Sequence, residues 1–374
     1  MKALFLVFHG FSEFNGISKK IHYQIDALRK CKVDAHLCYL RFEKDKSHTR
    51  MVDDFVVEKY NSSILGKIRK RIAYTSLFNY IKDNHFDLIY IRYANNANPF
   101  LNRFVKKLKL SNLKIVMEIP TYPYDDEYKD SPLKDKLRLF IDKRYRMTLA
   151  KSLDYIVSYT NLKTIFDCPV INISNGVDFD KIPLKENIND TSSILRLIGV
   201  AEIHYWHGFD RVIKGLINYY RQKDIKKEVF FDIVGYGADS TLNELKKLVK
   251  DNNLEKQIVF HGPKFGDELN ELFEKADFAI ASLGRHRSGI YDIKTLKNRE
   301  YAARGLAFMY SENDSDFDNM SYVLQSEPSE SAIDINKVIS FYNNIKNTPI
   351  EIRETIKSLS WENQMNKIIQ TIES

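Results

Sequence analysis

Short apolar runs recur along this chain at spacings that a helix fills, and the series stops once and begins again. Ala3-Leu-Phe-Leu-Val-Phe8, Val33 to Leu40, Phe86 to Ile91, Leu113 to Glu118, Asp154 to Ser158 and Val170 to Ile173 each read as a strand. Most are separated by stretches of helical periodicity, such as Ile17 to Lys30. Strands joined through helices pair in parallel, because such a connection must cross the sheet. Residues 183–193, P-L-K-E-N-I-N-D-T-S-S, are polar and aperiodic and read as a linker. The second series follows: strands at Leu195–Val200, Val229–Val234, Ile258–His261, Phe278–Ala281 and Leu306–Tyr310, with helices at Gly208–Arg221, Ser240–Asn252, Gly266–Lys275 and Thr295–Arg304. Ser240 is the expected N-cap of its helix. At 374 residues the chain exceeds one ordinary core. The expected fold class is therefore α/β, with two Rossmann-like domains at 1–182 and 194–359.

Several function classes are set aside early. Cys31, Cys38 and Cys168 lack metal-ligand spacing, and an odd, low count fits a reducing compartment. The amino-terminal run is too short for a signal peptide and meets a polar loop at once. No run approaches the ~20 apolar residues of a membrane span. A cytoplasmic protein is expected. The net charge of +7 is unevenly placed: residues 1–182 carry 32 Lys and Arg against 21 Asp and Glu, and the remainder 25 against 29. The basic residues concentrate at 67–71 and at 133–151, where Leu133, Leu137, Phe140 and Ile141 fall at helical spacing. Two readings stand side by side: a basic amphipathic helix against an anionic membrane surface, on the inner face of the plasma membrane, or a solvated helix with its apolar stripe on the domain core. No nucleic-acid motif accompanies the charge, and nucleic acid is not an expected partner.

Ligands of parallel α/β sheets sit at the carboxyl ends of the strands. There the second half places S-L-G-R-H-R-S-G-I-Y-D-I-K-T-L-K-N-R-E, Ser282 to Glu300, which follows a strand and opens a helix. Arg285, His286, Arg287, Lys297 and Arg299 supply cations or donors, and a helix start adds unpaired N–H groups, so the segment is suited to a diphosphate. The alternative is a solvated basic loop. Glu300 offers two acceptor oxygens to a cis-diol, and the following A-A-R-G suits a helix packed closely on its sheet.

Four segments carry a family resemblance: I-S-N-G-V-D-F-D (173–180), H-G-F-D-R-V-I-K-G-L (207–216), V-G-Y-G (234–237) and L-K-N-R-E-Y-A-A-R-G-L-A-F (296–308). In order and spacing they resemble the family 4 retaining glycosyltransferases of the GT-B fold, in particular enzymes of capsular and exopolysaccharide assembly. The resemblance covers the whole chain, weakly in the first half. It implies two domains facing a central cleft, an acceptor-binding first domain and a donor-binding second one. It also implies a helix at about 360–374, apolar at Trp361, Met365, Ile368 and Ile369, that crosses back to the first domain. The co-substrate implied is a UDP- or GDP-sugar, the acceptor a glycan or lipid-linked glycan, and no cofactor or metal is implied. Carried over residue by residue, Lys297 contacts phosphate, Glu300 the ribose, Asp292 the donor sugar, and Gly235 and Tyr236 form the Val-Gly-x-Gly turn at the nucleotide. The chain departs from the pattern in three places. Asp292 is one methylene shorter than the family's Glu, Glu202 stands where an Arg is usual, and His207 replaces a Lys.

The first half offers less. Gly10 and Gly16 bracket a loop which in the family approaches the donor phosphate, and each reads equally well as an ordinary turn glycine. Glu118-Ile-Pro-Thr-Tyr-Pro-Tyr-Asp125 ends a strand where relatives often carry a catalytic-region His. Glu118 is a candidate base or sugar acceptor, against the alternative of a polar strand end. Tyr122 and Tyr124 are candidates to stack on an acceptor sugar. Asp178-Phe-Asp180 and Asp314-Ser-Asp316 read as loop carboxylates rather than metal ligands. Gly235-Tyr-Gly237 has Ser240 where a dinucleotide fingerprint needs its third glycine. Two other functions remain open: a sugar-nucleotide epimerase of the same fold, and a non-catalytic nucleotide-sugar-binding subunit of a polysaccharide complex.

Overall fold

The computed structural model describes residues 1–11, 16–128, 131–186 and 193–374. The chain forms two compact units, Met1–Ser174 together with Trp361–Ser374, and Asn175–Ser360. Each has its own apolar core.

The first unit is built on nine strands: β1 (Lys2–Leu6), β2 (Asp34–Phe42), β3 (His48–Val52), β4 (Phe55–Tyr60), β5 (Leu88–Arg92), β6 (Lys114–Ile119), β7 (Tyr155–Ser158), β8 (Thr164–Ile165) and β9 (Cys168–Asn172). Their order across the sheet is β4-β3-β2-β1-β5-β6-β7-β9-β8. The six anticipated strands are all present and pair in parallel. Strands β3, β4 and β8 were not anticipated, and each pairs antiparallel, β4 and β8 at the two edges and β3 just inside β4. Strand β3, His-Thr-Arg-Met-Val, escapes a hydrophobicity pattern because its buried face includes Arg50. That guanidinium lies over the rings of Tyr60 and Tyr74 and donates to the carbonyls of Lys70 and Ala73. It thereby neutralises the negative end of the short helix Ile64–Ile72.

The helices of this unit are α1 (Gly16–Lys30), α2 (Ile64–Ile72), α3 (Thr75–Asp83), α4 (Pro99–Leu110) and α5 (Leu133–Ala150). Helix α4 starts where Asn98 accepts from the N–H groups of Phe100 and Leu101 and Pro99 fills the first position, where no N–H is needed. In α5 the apolar stripe does not face the core. Leu133, Leu137, Phe140 and Ile141 are exposed, and the buried side chains are Leu139, Asp142, Leu149 and Ala150. The reading of α5 as a core-facing amphipathic helix is therefore corrected.

The second unit holds β10 (Ile194–Ile203), α6 (Phe209–Tyr220), β11 (Glu228–Gly237), α7 (Asp239–Lys250), β12 (Ile258–Gly262), α8 (Gly266–Lys275), β13 (Phe278–Ile280), α9 (Leu296–Ala303), β14 (Ala307–Tyr310), β15 (Val323–Gln325), α10 (Ile335–Asn343) and α11 (Pro349–Thr355). The sheet is wholly parallel, ordered β12-β11-β10-β13-β14-β15. Ala238, not Ser240, occupies the cap position of α7, and it makes no side-chain cap bond. Most of the expected linker at 183–193 lies outside the described residues. Its first part is tied to this unit, where the Lys185 N–H donates to the Arg304 carbonyl at 2.9 Å. Helix α12 (Trp361–Glu373) belongs to the first unit and packs along α1, with Trp361, Met365, Ile368 and Ile369 among its buried residues. Gln364 accepts there from the Ser174 N–H at 2.8 Å.

Val234-Gly-Tyr-Gly237 is not a turn. It stays in β11 and pairs with β10 as far as Ile203 opposite Gly237. Gly235 has φ 136°, and a Cβ there would lie 1.8 Å from the Ala201 carbonyl oxygen. Glycine is required by the neighbouring strand itself. Gly235→Ala is expected to cost about 3 kcal/mol through backbone strain and forced strand separation. Urea unfolding of the two proteins measures this.

Candidate functional site

The second sheet has a switch point. From β10 the chain moves outward through β11 and β12, then returns to the other side of β10 to lay down β13, β14 and β15. The segments leaving the carboxyl ends of β10 and β13 part there and open a crevice.

From β10 the chain enters a short turn, Tyr205–His207, which ends at Gly208 with φ 65°. A Cβ on Gly208 would lie 2.8 Å from the Leu283 carbonyl carbon, so glycine permits the close approach of the segment after β13. That approach is sealed by two backbone bonds, from the Leu283 N–H to the His207 carbonyl and from the Gly284 N–H to the Trp206 carbonyl. His207 is buried. Its Nδ1 accepts from the His204 N–H at 3.0 Å, so the neutral ring carries its proton on Nε2. Burial, reinforced by the charges of Lys297 and Arg285, holds its pKa well below the ordinary value. His207 is thus a neutral donor.

Lys297 stands in the first turn of α9, whose cap residue Thr295 makes no side-chain cap bond. Its ammonium donates to Oγ of the fully buried Ser282 at 3.1 Å. Burial lowers its pKa, Arg285 lowers it further, and Glu312 acts the other way. Arg285 lies with its guanidinium over the Trp206 ring, 5.7 Å from the centroid. Glu312 follows β14 and is 2% exposed. Burial raises its carboxyl pKa against the pull of Arg285 and Lys297. His207, Arg285 and Lys297 therefore act on one another at one end of the sheet, with a helix start among them. Such a group can hold a polyanion without a metal ion.

Two cations expected at this anion site are committed elsewhere. Arg299 is fully buried on the inner side of α9, where it grips Asp314 and Asp316 and donates to the Thr295 carbonyl. It is a brace, not a phosphate contact, and the Asp-Ser-Asp carboxylates are its partners. Arg287 gives bonds from all of its donors: to Asp210 at 2.9 and 3.0 Å, to Glu330 at 2.6 and 2.9 Å, and to the Tyr205 carbonyl at 2.6 Å. His286 Nε2 also meets Glu330, at 2.8 Å. These two residues stitch the loop after β13 to α6 and to Glu330.

Glu300 is half-buried on α9, and Arg304 donates to its Oε1 at 3.1 Å. Asp292 is exposed and accepts from Asn313 Nδ2 at 3.2 Å. Tyr236 is exposed beside Glu202, with its hydroxyl 3.4 Å from that carboxylate. Sequence reading passed over Ser282, Asp210 and Glu312. The signal available for Glu312 was its place directly after an apolar strand, in S-E-N-D (311–314).

In the first unit, Glu118 has no exposed surface. It accepts from Gln24 (2.7 Å), Tyr90 (2.8 Å), Arg92 (2.5 Å) and Tyr159 (2.9 Å), with the Lys20 ammonium at 3.3 Å. Burial alone would raise its pKa, but Lys20 and Arg92 with these hydrogen bonds hold it down to about 2. A saturated, inaccessible carboxylate neither takes a substrate proton nor binds a sugar, so the assignment of Glu118 as base or sugar acceptor is withdrawn. Tyr124 is likewise corrected. It is 1% exposed and donates to the buried Asp142 at 2.7 Å, leaving no face for a sugar. Tyr122 is half-buried with its ring edge-on to Phe166 and Tyr124. Gly16 is the exposed first residue of α1, and a Cβ there would meet nothing within 4 Å. Part of the loop before it, 12–15, lies outside the described residues.

No protein-family model and no curated protein matches the chain. Solved structures do match along its full length. A glycosyltransferase from Rickettsia africae ESF-5 has a TM-score of 0.67 at 14% identity, covering 100% of this chain and 97% of its own. The sucrose-phosphate synthase of Thermosynechococcus elongatus has a TM-score of 0.67 at 12% identity, covering 100% and 98%. HepE from Anabaena, solved in complex with UDP-glucose, has a TM-score of 0.64 at 14% identity, covering 100% and 99%. The fold is therefore GT-B, α/β with two parallel-sheet domains.

Two buried carboxylate systems are open to measurement. Arg299→Met leaves Asp314 buried without its counter-charge and is expected to cost about 3–5 kcal/mol in chemical denaturation. The folded pKa of Glu118 lies below its ordinary 4.5. Its stabilisation is therefore fully present above about pH 4.5 and is lost as pH falls toward 2. The stability difference between the native protein and Glu118→Gln is expected to shrink by about 3 kcal/mol across that window.

Proposed function

We propose that this chain is a glycosyltransferase that moves a sugar from a nucleotide-diphosphate donor to a glycan or lipid-linked acceptor, with retention at the anomeric carbon. The observation that carries the reading is the set of donors at the switch point: the Lys297 ammonium, the Arg285 guanidinium and the Nε2–H of neutral His207 around the first turn of α9. The GT-B fold, shared with a protein solved around UDP-glucose, supports a nucleotide sugar as the polyanion. In this reading the diphosphate lies against Lys297, Arg285 and His207, and the α9 dipole adds to the stabilisation of its departing charge. Glu300 accepts the ribose hydroxyls through the oxygen that Arg304 does not hold. Tyr236 is exposed at the end of β11, where a base can reach it. Asp292 is exposed and meets the sugar through the oxygen that Asn313 does not hold. The bond from the anomeric carbon to the diphosphate oxygen breaks while the acceptor oxygen bonds on the same face. The acceptor proton passes to the departing phosphate, so no separate protein base is required. The resemblance to capsular and exopolysaccharide enzymes makes a cell-surface polysaccharide the proposed product.

The first unit supports a location for that acceptor. Helix α2 exposes Ile64 and Leu65, each 77% exposed, one turn before Lys67 and Lys70, and exposes Ile68 between those two lysines. Helix α5 exposes Leu133 (84%) and Phe140 (70%) among Lys134, Lys136 and Arg144. Burial lowers the Lys70 pKa, and the charges of Arg71, Lys67 and Lys134 lower it further, so Lys134 of α5 acts on α2. Apolar side chains flanked by lysines suit the boundary of an anionic bilayer, where each basic residue contributes about 1 kcal/mol. Among the described residues no helix is long and apolar enough to cross a membrane.

Glu300→Ala is expected to weaken binding of the UDP- or GDP-sugar about tenfold or more by calorimetry, with thermal unfolding unchanged. Unaltered affinity refutes the ribose role. Nucleotide release from a sugar-nucleotide panel, with and without membrane lipid extract, tests transfer. Conversion of the sugar without acceptor identifies an epimerase instead, and tight binding without turnover a non-catalytic subunit. The chain is expected to sediment with phosphatidylglycerol vesicles and not with phosphatidylcholine vesicles, and Leu65→Glu with Phe140→Glu is expected to release it. Failure of the native chain to sediment removes the membrane reading.

A further inference from the structure

Glu312 is not explained by anything the protein gives it. It leaves the carboxyl end of β14 two residues before Asp314, and its side chain is 2% exposed. Neither carboxylate oxygen has a hydrogen-bond partner among the described residues. The backbone carbonyl of the same residue is taken by Gln325 Nε2 at 3.2 Å. Three charged groups face it. Arg285, from the segment after β13, and Lys297, from α9, attract it, while Asp314, from its own segment, repels it. The Lys297 ammonium is nevertheless directed at Ser282 Oγ. A buried carboxylate without donors costs several kcal/mol, and proteins keep such a group where a ligand or ordered water completes it.

The charges restrict what completes it. A cationic ligand is repelled by Arg285 and Lys297. A bare anion satisfies those cations but brings no donor to the ionised Glu312 and is repelled by it. The group that fits both needs carries hydroxyls directly beside an anion, as the glycosyl moiety of a sugar diphosphate does. Resting on the nucleotide-sugar reading above, we propose that Glu312 is a donor-sugar-binding residue: its carboxylate accepts hydrogen bonds from hydroxyls of the transferred sugar while Lys297 and Arg285 hold the adjoining phosphates. A second carboxylate at the sugar, beside Asp292, then comes from the end of β14, a position no segment of the family resemblance includes. A hydroxyl-to-carboxylate bond of this kind discriminates strongly against deoxy sugars, because removing the hydroxyl leaves the charge buried and unmet.

Calorimetry of Glu312→Gln with UDP, GDP, UDP-glucose and GDP-mannose tests this, taking whichever nucleotide pair the native chain binds. The expected result is unchanged affinity for the nucleoside diphosphate and about tenfold or greater loss for the matching sugar nucleotide. Retained nucleotide binding also certifies the fold of the variant. Equal loss for both ligands would mean that Glu312 acts on the phosphate cations and overturns the proposal. No loss for either means that water completes the carboxylate and likewise overturns it. If the native chain binds neither nucleotide nor sugar nucleotide, the donor-site reading itself fails and this proposal with it. Should Glu312→Gln lose cooperative unfolding, Glu312→Asp keeps the charge, withdraws it by one methylene, and is expected to show the same selective loss.

Discussion

Arg299 sits inside α9 with its guanidinium locked between Asp314 and Asp316, wholly out of water. Breaking such an arrangement strands a buried charge, so its geometry is enforced by a large penalty. The grip joins the helix that carries Lys297 and Glu300 to the segment that carries Glu312. It sets the distance between a cation and a carboxylate that do not hydrogen-bond to each other. Gly208 does the corresponding work on the other side, letting the turn after β10 close on Leu283 and bring His207 to the same end of the sheet. The donors expected to meet a diphosphate are thus held by groups that never touch it.

Cations near a strand end are easy to count in a sequence and hard to apportion. Ser282 to Glu300 supplies six cationic or imidazole side chains. Arg287 is consumed by Asp210 and Glu330, and Arg299 by its two aspartates. The acids that claim them lie as far away as Asp210 and Glu330, and no local pattern ties them to that loop. The same is true of Glu118. It reads as a polar strand end, but Lys20 and Gln24 from α1 and Tyr159 beyond β7 converge on it. Long-range satisfaction of a buried charge has no sequence period.

The fold was far more legible. Every anticipated strand of both sheets is present, because runs such as Ala3–Leu6 and Leu88–Ile91 are apolar throughout and central in their sheet. The strands that escaped lie at or next to a sheet edge and have mixed composition, β3 with its buried Arg50, its neighbour β4, and the short β8 and β15. Val-Gly-Tyr-Gly misled for a different reason. Two glycines suggest a turn, yet here they let β11 run close beside β10, with the Ile203 carbonyl oxygen only 2.2 Å from where a Gly237 Cβ would stand.

Helix α12 shares a core with α1, so the first unit is assembled from two stretches of chain separated by the whole of the second unit. In covalent terms Asn175–Ser360 is an insertion, and only it is continuous. During synthesis the ribosome releases the second unit complete before α12 emerges. Until then the part of α1 that α12 packs against stays uncovered. The order of folding is therefore the reverse of the order of translation: the unit begun first is finished last. A cut made within the second unit separates α12 from the sheet it completes, and splitting this protein into its two units requires moving that helix to the end of the first.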